Sequence, residues 1–426
     1  MRKLYSLIAW LLLPFLLLRL LLSIFRNADY ADRWPERFGF VPARCAGKPL
    51  IWVHAVSVGE VQAALPLINR LLNDYPDQQL LVTTMTPTGA LMVQQRFGQS
   101  VTHHYLPYDL AWSMRRFVRQ LRPDVLIVIE TELWPNLFAT CKLSHVPILL
   151  VNARMSARSA RGYARLGRLT PSVLEDIDLI AAQNQADGQR LLELGARPER
   201  LHITGNLKFD IHLPPSVHEQ AQALRRQLSM NRPIWIAAST HEGEEKIVLD
   251  GFDAVLRKYP DCLLLLAPRH PERFEKVAEL CRSRGYKTAL RSHDAAVTPD
   301  TNIYLIDTLG ELSMCYAAAD MAFVGGSLLP IGGHNMLEPA SLGVPILTGP
   351  HYFNFNEIGE LLQQAGAAWV VENAPALAEQ VKNLMGDAEL RYHAGEEGRA
   401  VVRQNGGGIE QLLPLLQPYL DIRPAA

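Results

Sequence analysis

The chain has 426 residues, of which 48% are apolar and 20% charged, and this composition excludes an intrinsically disordered protein. Its 42 Lys and Arg residues against 43 Asp and Glu give a net charge of -1, which argues against a nucleic-acid-binding protein because such proteins usually carry a basic excess. The five cysteines are scattered without a CxxC pair, so the sequence predicts neither a disulfide scaffold nor a zinc knuckle, and a reducing compartment fits best.

The chain begins with an apolar segment, residues 4–25, that contains one charge, Arg19. Its length matches the roughly 20 residues that cross a bilayer. It fits a single span or a helix lying in the membrane interface better than a cleaved signal peptide, since no A-x-A-like site follows. The flanking basic residues favour a cytoplasmic main body. We therefore predict a membrane anchor helix over residues 1–27, outside the globular fold.

After this segment, short apolar runs alternate with amphipathic stretches. Most of the runs are continuous, as expected for parallel strands that are buried on both faces. Helix-like stretches separate them, for example residues 61–72, 112–121, 244–258 and 272–284. The alternation predicts a doubly wound α/β fold. The predicted strands are residues 50–54, 79–84, 124–129, 147–151, 179–182, 201–204, 233–238, 262–267, 302–306, 321–324 and 344–347.

These strands are too many for one small sheet, and a Pro-Pro pair with a single short helical run interrupts the pattern in the middle of the chain. We predict two Rossmann-like domains, residues 28–205 and 233–426, with a linker over 206–232 and a cleft between the domains. A TIM barrel is the alternative, but it requires eight regular βα units without a break.

Several common catalytic motifs are absent from the sequence. It contains no G-x-G-x-x-G, no Walker A sequence, no H-E-x-x-H and no G-x-S-x-G. A nicotinamide enzyme, a P-loop ATPase and a serine hydrolase are therefore not supported. A D-x-D pattern at Asp176 and Asp178 is short and enters a predicted strand, so we interpret it as a chance occurrence rather than a metal site.

The first candidate site follows the first predicted strand, in the sequence HAVSVGE. Ligands of open α/β sheets bind at the carboxyl ends of strands, where Glu60 can act as a general base. Ser57 and Glu60 also have the spacing of a helix capping box, which remains the competing interpretation. We interpret His54 as a buried, hydrogen-bonded histidine rather than a base.

The second candidate is VLIVIETELWPN, in which an apolar strand leads directly into Glu130 and Glu132. Both carboxylates would lie on the same face if the strand continued. They either point into a cleft or form an ion pair with a basic side chain such as Arg154. Lys208, in TGNLKFD near the predicted boundary, is a weaker candidate for binding an anion.

The C-terminal half contains the candidate anion-binding elements. Arg269 follows a predicted strand and precedes a helix start, where a carboxylate or phosphate would bind. The sequence FVGGSLLPIGGHNMLEPA has two glycine pairs followed by a helix start with Glu338. Free backbone N–H groups in such a loop form an anion cradle, and Glu338 can accept the hydroxyl hydrogens of a ribose. The segment DTLGEL is a second candidate edge of the same site.

Taken together, these motifs resemble the bacterial 3-deoxy-D-manno-octulosonic acid (Kdo) transferase family. The resemblance runs in the same order along nearly the whole chain. The matching stretches are RWPERFGF, HAVSVGE, TTMTPTG, YLPYDL, ETELWPN, NARMSARS, AAQN, TGNLKFD, ASTHEGEE, APRHPERF, DTLGEL, FVGGSL, GGHNMLEPA and GPHYFNF.

The resemblance implies a GT-B fold and an inverting transfer of Kdo from CMP-Kdo to the lipid A precursor lipid IVA in lipopolysaccharide biosynthesis. It implies that Glu60 is the general base and that Glu130 and Lys208 stabilise the transition state. It also implies an acceptor domain followed by a CMP-Kdo-binding domain, no cofactor and no metal in the transfer step. The CMP-binding residues that it implies are Pro268, Arg269, Leu309, Gly310, Glu311, Asn335, Met336, Leu337 and Glu338.

With the predicted anchor, the resemblance implies an enzyme at the inner membrane whose catalytic domains lie on the cytoplasmic side and whose partners include membrane lipid but no nucleic acid. Arg26, Arg33 and Arg37 follow the anchor, and we expect them to bind acceptor phosphates or anionic lipid. The alternatives are a GT-B nucleotide-sugar epimerase and an inactive, membrane-anchored protein that binds a nucleotide sugar.

Overall fold

The computed structural model describes residues 1–26, 28–44, 47–211, 213, 215–293 and 297–421, and the side chains of residues 26, 28 and 29 lie outside that description. The chain divides into two compact units. Unit 1 comprises Met1–Asp210 and the chain from Gly406 onward, and unit 2 comprises Ile211–Asn405. Cys45 lies outside the described residues, and four cysteines are buried and free, namely Cys141, Cys262, Cys281 and Cys315.

Over the described residues the chain forms fourteen strands and eighteen α-helices. The strands are β1 (Leu50–His54), β2 (Gln79–Thr84), β3 (Thr102–Tyr105), β4 (Val125–Ile129), β5 (Ile148–Ala153), β6 (Leu179–Ala182), β7 (Leu201–Ile203), β8 (Ile234–Thr240), β9 (Leu263–Pro268), β10 (Thr288–Leu290), β11 (Ile303–Leu305), β12 (Met321–Val324), β13 (Ile346–Thr348) and β14 (Ala368–Val370). The helices are α1 (Arg2–Leu11), α2 (Leu13–Arg26), α3 (Val58–Asp74), α4 (Pro87–Phe97), α5 (Ala111–Leu121), α6 (Pro135–Leu143), α7 (Ala157–Ala164), α8 (Leu169–Leu174), α9 (Gln185–Glu193), α10 (Val217–Gln227), α11 (Glu244–Leu256), α12 (Phe274–Ser283), α13 (Leu312–Ala318), α14 (Leu337–Ser341), α15 (Asn356–Gln364), α16 (Ala374–Gly386), α17 (Ala388–Asn405) and α18 (Gly408–Leu420). Short 3-10 helices cover Ala28–Ala31, Trp34–Phe38, Pro198–Arg200, Leu207–Phe209, Pro271–Arg273, Arg291–His293 and Phe353–Phe355.

Each unit contains one seven-stranded parallel sheet. The strand order is β3-β2-β1-β4-β5-β6-β7 in unit 1 and β10-β11-β9-β8-β12-β13-β14 in unit 2. The direction in which the chain adds strands reverses between β1 and β4 and again between β8 and β12. Such a reversal is the topological switch point at which doubly wound sheets bind ligands. The prediction of two doubly wound α/β domains is confirmed, and the TIM barrel alternative is excluded.

The apolar strands form the core because both faces of each sheet are covered. All five side chains of β4 are buried, and they alternate between two hydrophobic clusters. Leu126 and Val128 pack with Trp52 and Phe117 in the cluster on one face of the sheet. The odd-numbered residues of β4 pack in the cluster on the other face, which also contains residues of α3 and α18.

The predicted domain boundaries differ from the observed ones at both ends of the second domain. The predicted linker over 206–232 contains α10, which packs against α13 in unit 2. The final helix α18 belongs to unit 1, although the sequence analysis assigned residues up to 426 to the C-terminal domain. The reason is that Ile409 and Leu412 are buried in a core cluster of unit 1, and that Asp210 caps the helix by accepting the N–H of Ile409 at 2.7 Å.

The N-terminal segment forms two helices rather than the one predicted anchor helix. No single helix among the described residues is long and apolar enough to cross a membrane, whereas α1 and α2 meet that criterion as a pair that is bent by 51°. The segment also packs onto unit 1, contrary to the prediction. Arg2 forms an ion pair with Asp176 at 2.5 Å, and the Ser6 hydroxyl donates to Asn136 at 2.7 Å.

Much of this helix pair nevertheless remains uncovered. Trp10, Phe15 and Phe25 are 60%, 72% and 85% exposed, and several leucines of both helices are also exposed. A contiguous patch of exposed apolar side chains on a protein surface usually marks an interaction site.

Candidate active site

The predicted residues of unit 1 meet at the switch point of its sheet. Glu60 lies in the first turn of α3, which follows β1, and Glu130 and Glu132 follow β4, the neighbouring strand. Lys208 lies in the 3-10 helix after β7. Its Nζ atom is 3.0 Å from Oε1 of Glu130, so the two residues that sequence analysis nominated separately form an ion pair. Glu130 therefore forms an ion pair with a basic side chain, which was one of the two interpretations of the sequence, and the partner seen here is Lys208.

Glu60 is held by local hydrogen bonds. Its Oε2 accepts the backbone N–H of Val56 at 2.6 Å, and its Oε1 accepts the Ser57 hydroxyl at 3.1 Å. A capping box also requires the serine side chain to accept a helix N–H, and Ser57 makes no such bond. Neither reciprocal bond of a capping box is therefore present, because Glu60 accepts the N–H of Val56 rather than that of the N-cap residue Ser57. The Glu60 carboxylate also has acceptor capacity that these local bonds do not use.

Burial and like charges make Glu60 a strong proton acceptor. Burial is the largest cause, and the charges of Glu132 and Glu130 add to it, so that the pKa of Glu60 rises to about 8. Burial and the charge of Glu130 raise the pKa of Glu132 to about 7. A carboxylate with a pKa near the working pH is suited to general base catalysis.

The backbone at this site is locally strained. Glu130 adopts a φ of 58° and Asn152, at the end of β5, a φ of 56°, both in the left-handed region that L-residues rarely occupy. The side-chain oxygen of Asn152 accepts the N–H of Leu207 at 3.0 Å, which fixes the turn that carries Lys208. The strain thus lies at Glu130, one member of the ion pair, and at Asn152, which fixes the turn of the other member, and such strain is common at functional sites.

His54 is the buried histidine that the sequence analysis predicted. Its side chain is fully buried, and Nδ1 lies 2.9 Å from the hydroxyl oxygen of Thr83. Burial lowers the pKa of His54 to about 4, so the imidazole is neutral at pH 7. Its Nε2 atom has no hydrogen-bond partner in the described structure, and the ring of Trp134 lies 6.5 Å away.

The residues of unit 2 that were predicted to bind the CMP moiety lie at or after the ends of three strands, β9, β11 and β12. Pro268 ends β9, and the N–H of Arg269 donates to the carbonyl oxygen of Thr240 at 3.0 Å. Leu309 is 72% exposed and Gly310 has a φ of 85°, a conformation that favours glycine. The carboxylate of Glu311 accepts two hydrogen bonds from Arg291, at 2.8 and 3.1 Å, and this guanidinium lowers its pKa.

The other residues predicted to bind CMP, 335–338, are linked to the helix that follows the 309–311 segment. The Ser313 hydroxyl, in α13, donates to the carboxylate of Glu338, in α14. Met336 and Leu337 are buried, and the side-chain oxygen of Asn335 accepts the N–H of Leu337 at 3.1 Å. In this structure the carboxylates of Glu311 and Glu338 thus have protein partners, which a ribose would have to share or replace.

The first glycine pair does not form the free anion cradle that the sequence analysis predicted. The carboxylate of Glu244, which is fully buried, accepts the N–H groups of Gly326 at 2.7 Å and of Ser327 and Leu328 at 2.9 Å. It also accepts the N–H of His241 at 2.9 Å. A side chain of the protein itself therefore fills the cradle, and an anionic ligand has to bind to other donors.

Sequence analysis missed both buried glutamates of the HEGEE segment. Glu245 pairs with Arg273 through two hydrogen bonds, at 2.6 and 3.0 Å. The available signal was the position of HEGEE at the end of a strand, which is the same position that HAVSVGE occupies in unit 1.

Two of the three arginines proposed to bind phosphates, Arg33 and Arg37, are engaged elsewhere. The side chain of Arg26 lies outside the described residues. Arg33 donates to the carbonyl oxygen of His103 at 3.0 Å and lies over the Tyr105 ring at 4.7 Å. Arg37 is 2% exposed and donates to the carbonyl oxygen of Met85 at 3.0 Å. Their contacts hold the edge strand β3 and its neighbours together, so Arg37 is not available to a surface ligand.

No group of three or more His, Cys, Asp or Glu side chains suited to a metal ion occurs in the parts of the chain that the structure describes. The D-x-D residues have structural roles instead. Asp176 pairs with Arg2, and Asp178 accepts the N–H of Ile148 at 3.0 Å.

Comparison with known proteins gives a consistent result. The family model described as 3-Deoxy-D-manno-octulosonic-acid transferase (kdotransferase) matches residues 32–211. The 3-deoxy-D-manno-octulosonic acid transferase of Haemophilus influenzae is 44% identical over 403 residues, which are 94% of each chain. Among solved structures, the C-terminal CMP-Kdo binding domain of WaaA from Acinetobacter baumannii is 34% identical and covers 44% of this chain and 98% of its own, with a TM-score of 0.43. The UDP-GlcNAc 2-epimerase from Neisseria meningitidis, bound to UDP-GlcNAc, is 14% identical, covers 86% of this chain and all of its own with a TM-score of 0.54, and shares the fold alone.

Proposed function

The chain belongs to the 3-deoxy-D-manno-octulosonic acid transferase family, and from this premise we propose that it moves Kdo from CMP-Kdo to a hydroxyl group of lipid IVA, with inversion at the anomeric carbon. Membership makes the protein a glycosyltransferase and disfavours both an epimerase and an inactive nucleotide-sugar-binding protein. The likeness to the epimerase extends only to the fold.

The observation that carries this proposal is the group of three carboxylates and one lysine at the switch point of unit 1. In the proposed step, Glu60 takes the proton of the acceptor hydroxyl while the hydroxyl oxygen forms a bond to the anomeric carbon of Kdo. The bond from that carbon to the phosphate oxygen breaks, and CMP leaves with the electron pair. The raised pKa of Glu60 supports this role because a more basic carboxylate accepts the proton more readily.

We assign transition-state stabilisation to Glu130 and Lys208. The ammonium group of Lys208 is positioned by its 3.0 Å contact with Glu130 and by the turn that Asn152 holds. A fixed cation near the reacting atoms stabilises negative charge without reorganisation during the reaction. The Kdo carboxylate and the departing phosphate are both negative, so a positioned lysine suits this chemistry.

We assign the CMP moiety to residues 268–269, 309–311 and 335–338 of unit 2. Hydrogen bonding between Ser313 and Glu338 brings two of these segments together, which supports a common site. We further propose that the transfer step uses no metal ion. The leaving group is a monophosphate ester that side-chain cations can stabilise, and this chemistry does not require a divalent ion.

The test is transfer of labelled Kdo from CMP-Kdo, generated in situ, to lipid IVA, with the product identified by mass. Wild-type protein should form product, and Glu60→Gln should reduce the rate by about 10³-fold because general base catalysis typically contributes 10²–10⁴-fold. Ser57→Ala is the matched control, since it removes the partner of the Glu60 Oε1 atom and leaves the base. Near-normal activity of Glu60→Gln would refute the base assignment, and absence of product with wild type would refute the acceptor.

We also propose that unit 1 faces the anionic inner membrane from the cytoplasmic side. The net charge of the whole chain conceals an asymmetry, because unit 1 contains 25 Lys and Arg against 19 Asp and Glu, whereas unit 2 contains 17 against 24. In α5 one helix face carries Arg115, Arg116 and Arg119, and no carboxylate of the described residues lies within ion-pair distance of them. Beside them, Phe40 is 53% exposed and lies 3.9 Å from the Arg116 guanidinium.

Exposed aromatic and arginine side chains, here in the same unit as the uncovered helices α1 and α2, are typical of proteins that bind an anionic lipid surface. Replacing the three arginines of α5 by glutamine should weaken binding to vesicles of phosphatidylcholine and phosphatidylglycerol by about 100-fold, at roughly 1 kcal/mol per charge. The matched control replaces three exposed basic residues of unit 2, Arg257, Lys258 and Lys276. Equal binding of both triple variants would refute the proposed surface.

A further inference from the structure

Three histidines that the proposed reaction does not use meet at the switch point of unit 2. His241 directly follows β8, and His334 lies in the loop between β12 and α14. Their Nε2 atoms are 2.8 Å apart, and the two rings are nearly parallel, with centroids 5.0 Å apart. The ring of His270 stands edge-on to that of His241 at 5.2 Å. The rings of the first two are only half-buried, so a ligand can reach them.

The surrounding backbone fixes the two rings of the pair. Glu244 accepts the N–H of His241 and the N–H of Gly326, so it ties the end of β8 to the loop after β12. The His334 ring rests on Gly326, where an added Cβ would come within 2.9 Å of its Cδ2 atom. The pair therefore does not depend on mobile surface side chains.

The occupied glycine loop decides which groups can bind an anion here. Three of its N–H groups already donate to Glu244, so backbone donors do not serve a phosphate at that loop. The side chains of the three histidines offer further nitrogen atoms at this switch point. His241 lies beside the predicted donor residues 268–269, and His334 immediately precedes the predicted donor residues 335–338.

The contact between the two Nε2 atoms also restricts where protons reside. Only one proton fits between two nitrogen atoms at hydrogen-bond distance, so one ring donates and the other accepts. In the uncharged pair, the donating ring has a bare Nδ1 atom. One additional proton at that atom would give the pair a single positive charge and a second N–H group.

The groups that face the pair keep it uncharged in the free protein. Burial is the largest cause of a lowered pKa at both histidines, and the pKa of His334 falls to about 3. Arg269 and His270 lower both pKa values further, and Arg273 lowers that of His241. Glu244 is the carboxylate that acts in the opposite direction on His241. A bound anion would place a second negative charge beside the two histidines and would favour the positively charged form of the pair.

We propose that the His241–His334 pair binds the phosphate group in the CMP moiety of the CMP-Kdo donor and takes up one proton when it does so. This inference rests on the proposed donor and deepens it, because it assigns residues outside the predicted donor segments. The Kdo carboxylate shares the relevant chemistry, so the test has to separate the two anions.

The test is isothermal titration calorimetry of CMP with the full-length wild-type protein at pH 7.5, in two buffers that differ in ionisation enthalpy. The difference in apparent enthalpy gives the number of protons taken up, and we expect close to one for each CMP bound. Cytidine, which lacks the phosphate, should bind without proton uptake. Free Kdo, which carries only the carboxylate, should likewise bind without uptake. Uptake with Kdo and not with CMP would overturn the assignment to the phosphate.

Substitution then locates the proton. His334→Gln should abolish proton uptake and weaken CMP binding by about tenfold, and His241→Gln should have the same effect, so that two independent variants report on the pair. His393→Gln, an exposed histidine of α17, is the matched control and should retain both. Proton uptake that persists in either pair variant would overturn the inference.

The wild-type measurement separates failure of this inference from failure of the proposed function. If CMP binds with normal affinity but without proton uptake, the histidine pair has no such role and the donor assignment stands. If CMP does not bind at all, the donor assignment fails and the inference fails with it.

Discussion

The two units place a glutamate at equivalent positions and use it in opposite ways. In each unit, a Gly-Glu sequence lies at the start of the helix that follows a strand at the switch point: Glu60 is in the first turn of α3, after β1, and Glu244 is the first residue of α11, after β8. Glu244 is fully buried and accepts four backbone N–H groups. Glu60 accepts one N–H group and one hydroxyl, and two further carboxylates lie nearby.

This difference separates a structural carboxylate from one suited to proton transfer. The four N–H donors saturate the oxygens of Glu244, so no acceptor capacity remains for a substrate. Glu60 lacks such saturation, and the neighbouring charges raise its pKa. What distinguishes the two residues is therefore the supply of local donors rather than the residue type or its position after the strand.

The sharpest test of this comparison is the same substitution at both positions. Glu244→Gln replaces a carboxylate oxygen by an N–H₂ group and leaves about two backbone N–H groups buried without an acceptor. At roughly 1–3 kcal/mol for each, together with the lost charge-assisted bonds, the free energy of unfolding of unit 2 should fall by about 3–5 kcal/mol. Glu60→Gln should change stability by less than about 1 kcal/mol. Urea unfolding, with hydrogen exchange of β8 and β12 amides, measures both.

Equal loss of stability in the two variants would contradict the distinction. So would a Glu244→Gln protein that keeps wild-type exchange rates at the loop after β12, since the N–H groups of that loop would then not depend on the carboxylate.

The same comparison shows why the strands were easier to predict than the site. All eleven predicted strands are present, because central strands such as β4 are continuous apolar runs buried on both faces. The three strands that were missed, β3, β10 and β14, are edge strands. Their residues are mostly only partly buried: THHY is largely polar, and TAL and AWV are only three residues long, too short for a periodic pattern to stand out.

The sequence indicated that the predicted site residues follow strand ends, but it did not indicate their partners. The Lys208–Glu130 ion pair joins residues 78 positions apart, and the His241–His334 contact spans 93 positions. Spacing along the chain carries no signal for such contacts. The final helix was assigned to the wrong unit for the same reason, because an amphipathic helix does not reveal from its sequence which core it covers.

The next prediction concerns Lys208. Its nearest counterparts in unit 2 are Arg269 and Arg273, the arginines near His241. Lys208→Ala should reduce the transfer rate by about 10²–10³-fold, because it removes a positioned cation from the transition state. The effect should fall on kcat more than on KM, and Lys208→Arg should restore part of it. Steady-state kinetics with lipid IVA and CMP-Kdo measure this. Lys142→Ala, a lysine that pairs with Asp178 at 3.5 Å, is the control and should remain active.

A smaller effect tests the division into units. Asp210 accepts the N–H groups of Gly408 and Ile409 at 3.2 and 2.7 Å, so it caps α18. Asp210→Ala should cost about 1–2 kcal/mol and increase hydrogen exchange in α18 and in the strands of unit 1 that it covers. Asp387→Ala, which removes the side chain that accepts the N–H of Leu390 in α17, should affect unit 2 instead. Increased exchange confined to unit 2 in Asp210→Ala would contradict the assignment of α18.

The smallest expected effect, and the one that most directly probes the carboxylate cluster, is that of Glu132 on the pH dependence of transfer. A general base acts when it is ionised, so the rate should rise with pH as Glu60 ionises, with an apparent pKa near 8. Glu132 is the largest charge that raises this pKa, so Glu132→Gln should move the rising limb to lower pH. Because only about a tenth of a base of pKa 8 is ionised at pH 7, the gain at that pH cannot exceed about tenfold. The exposed Glu175→Gln should leave the profile unchanged. A limb that stays in place in Glu132→Gln would show that the charge of Glu132 does not raise the pKa of Glu60. A loss of rate by orders of magnitude at every pH in Glu132→Gln would identify Glu132 rather than Glu60 as the group that receives the proton.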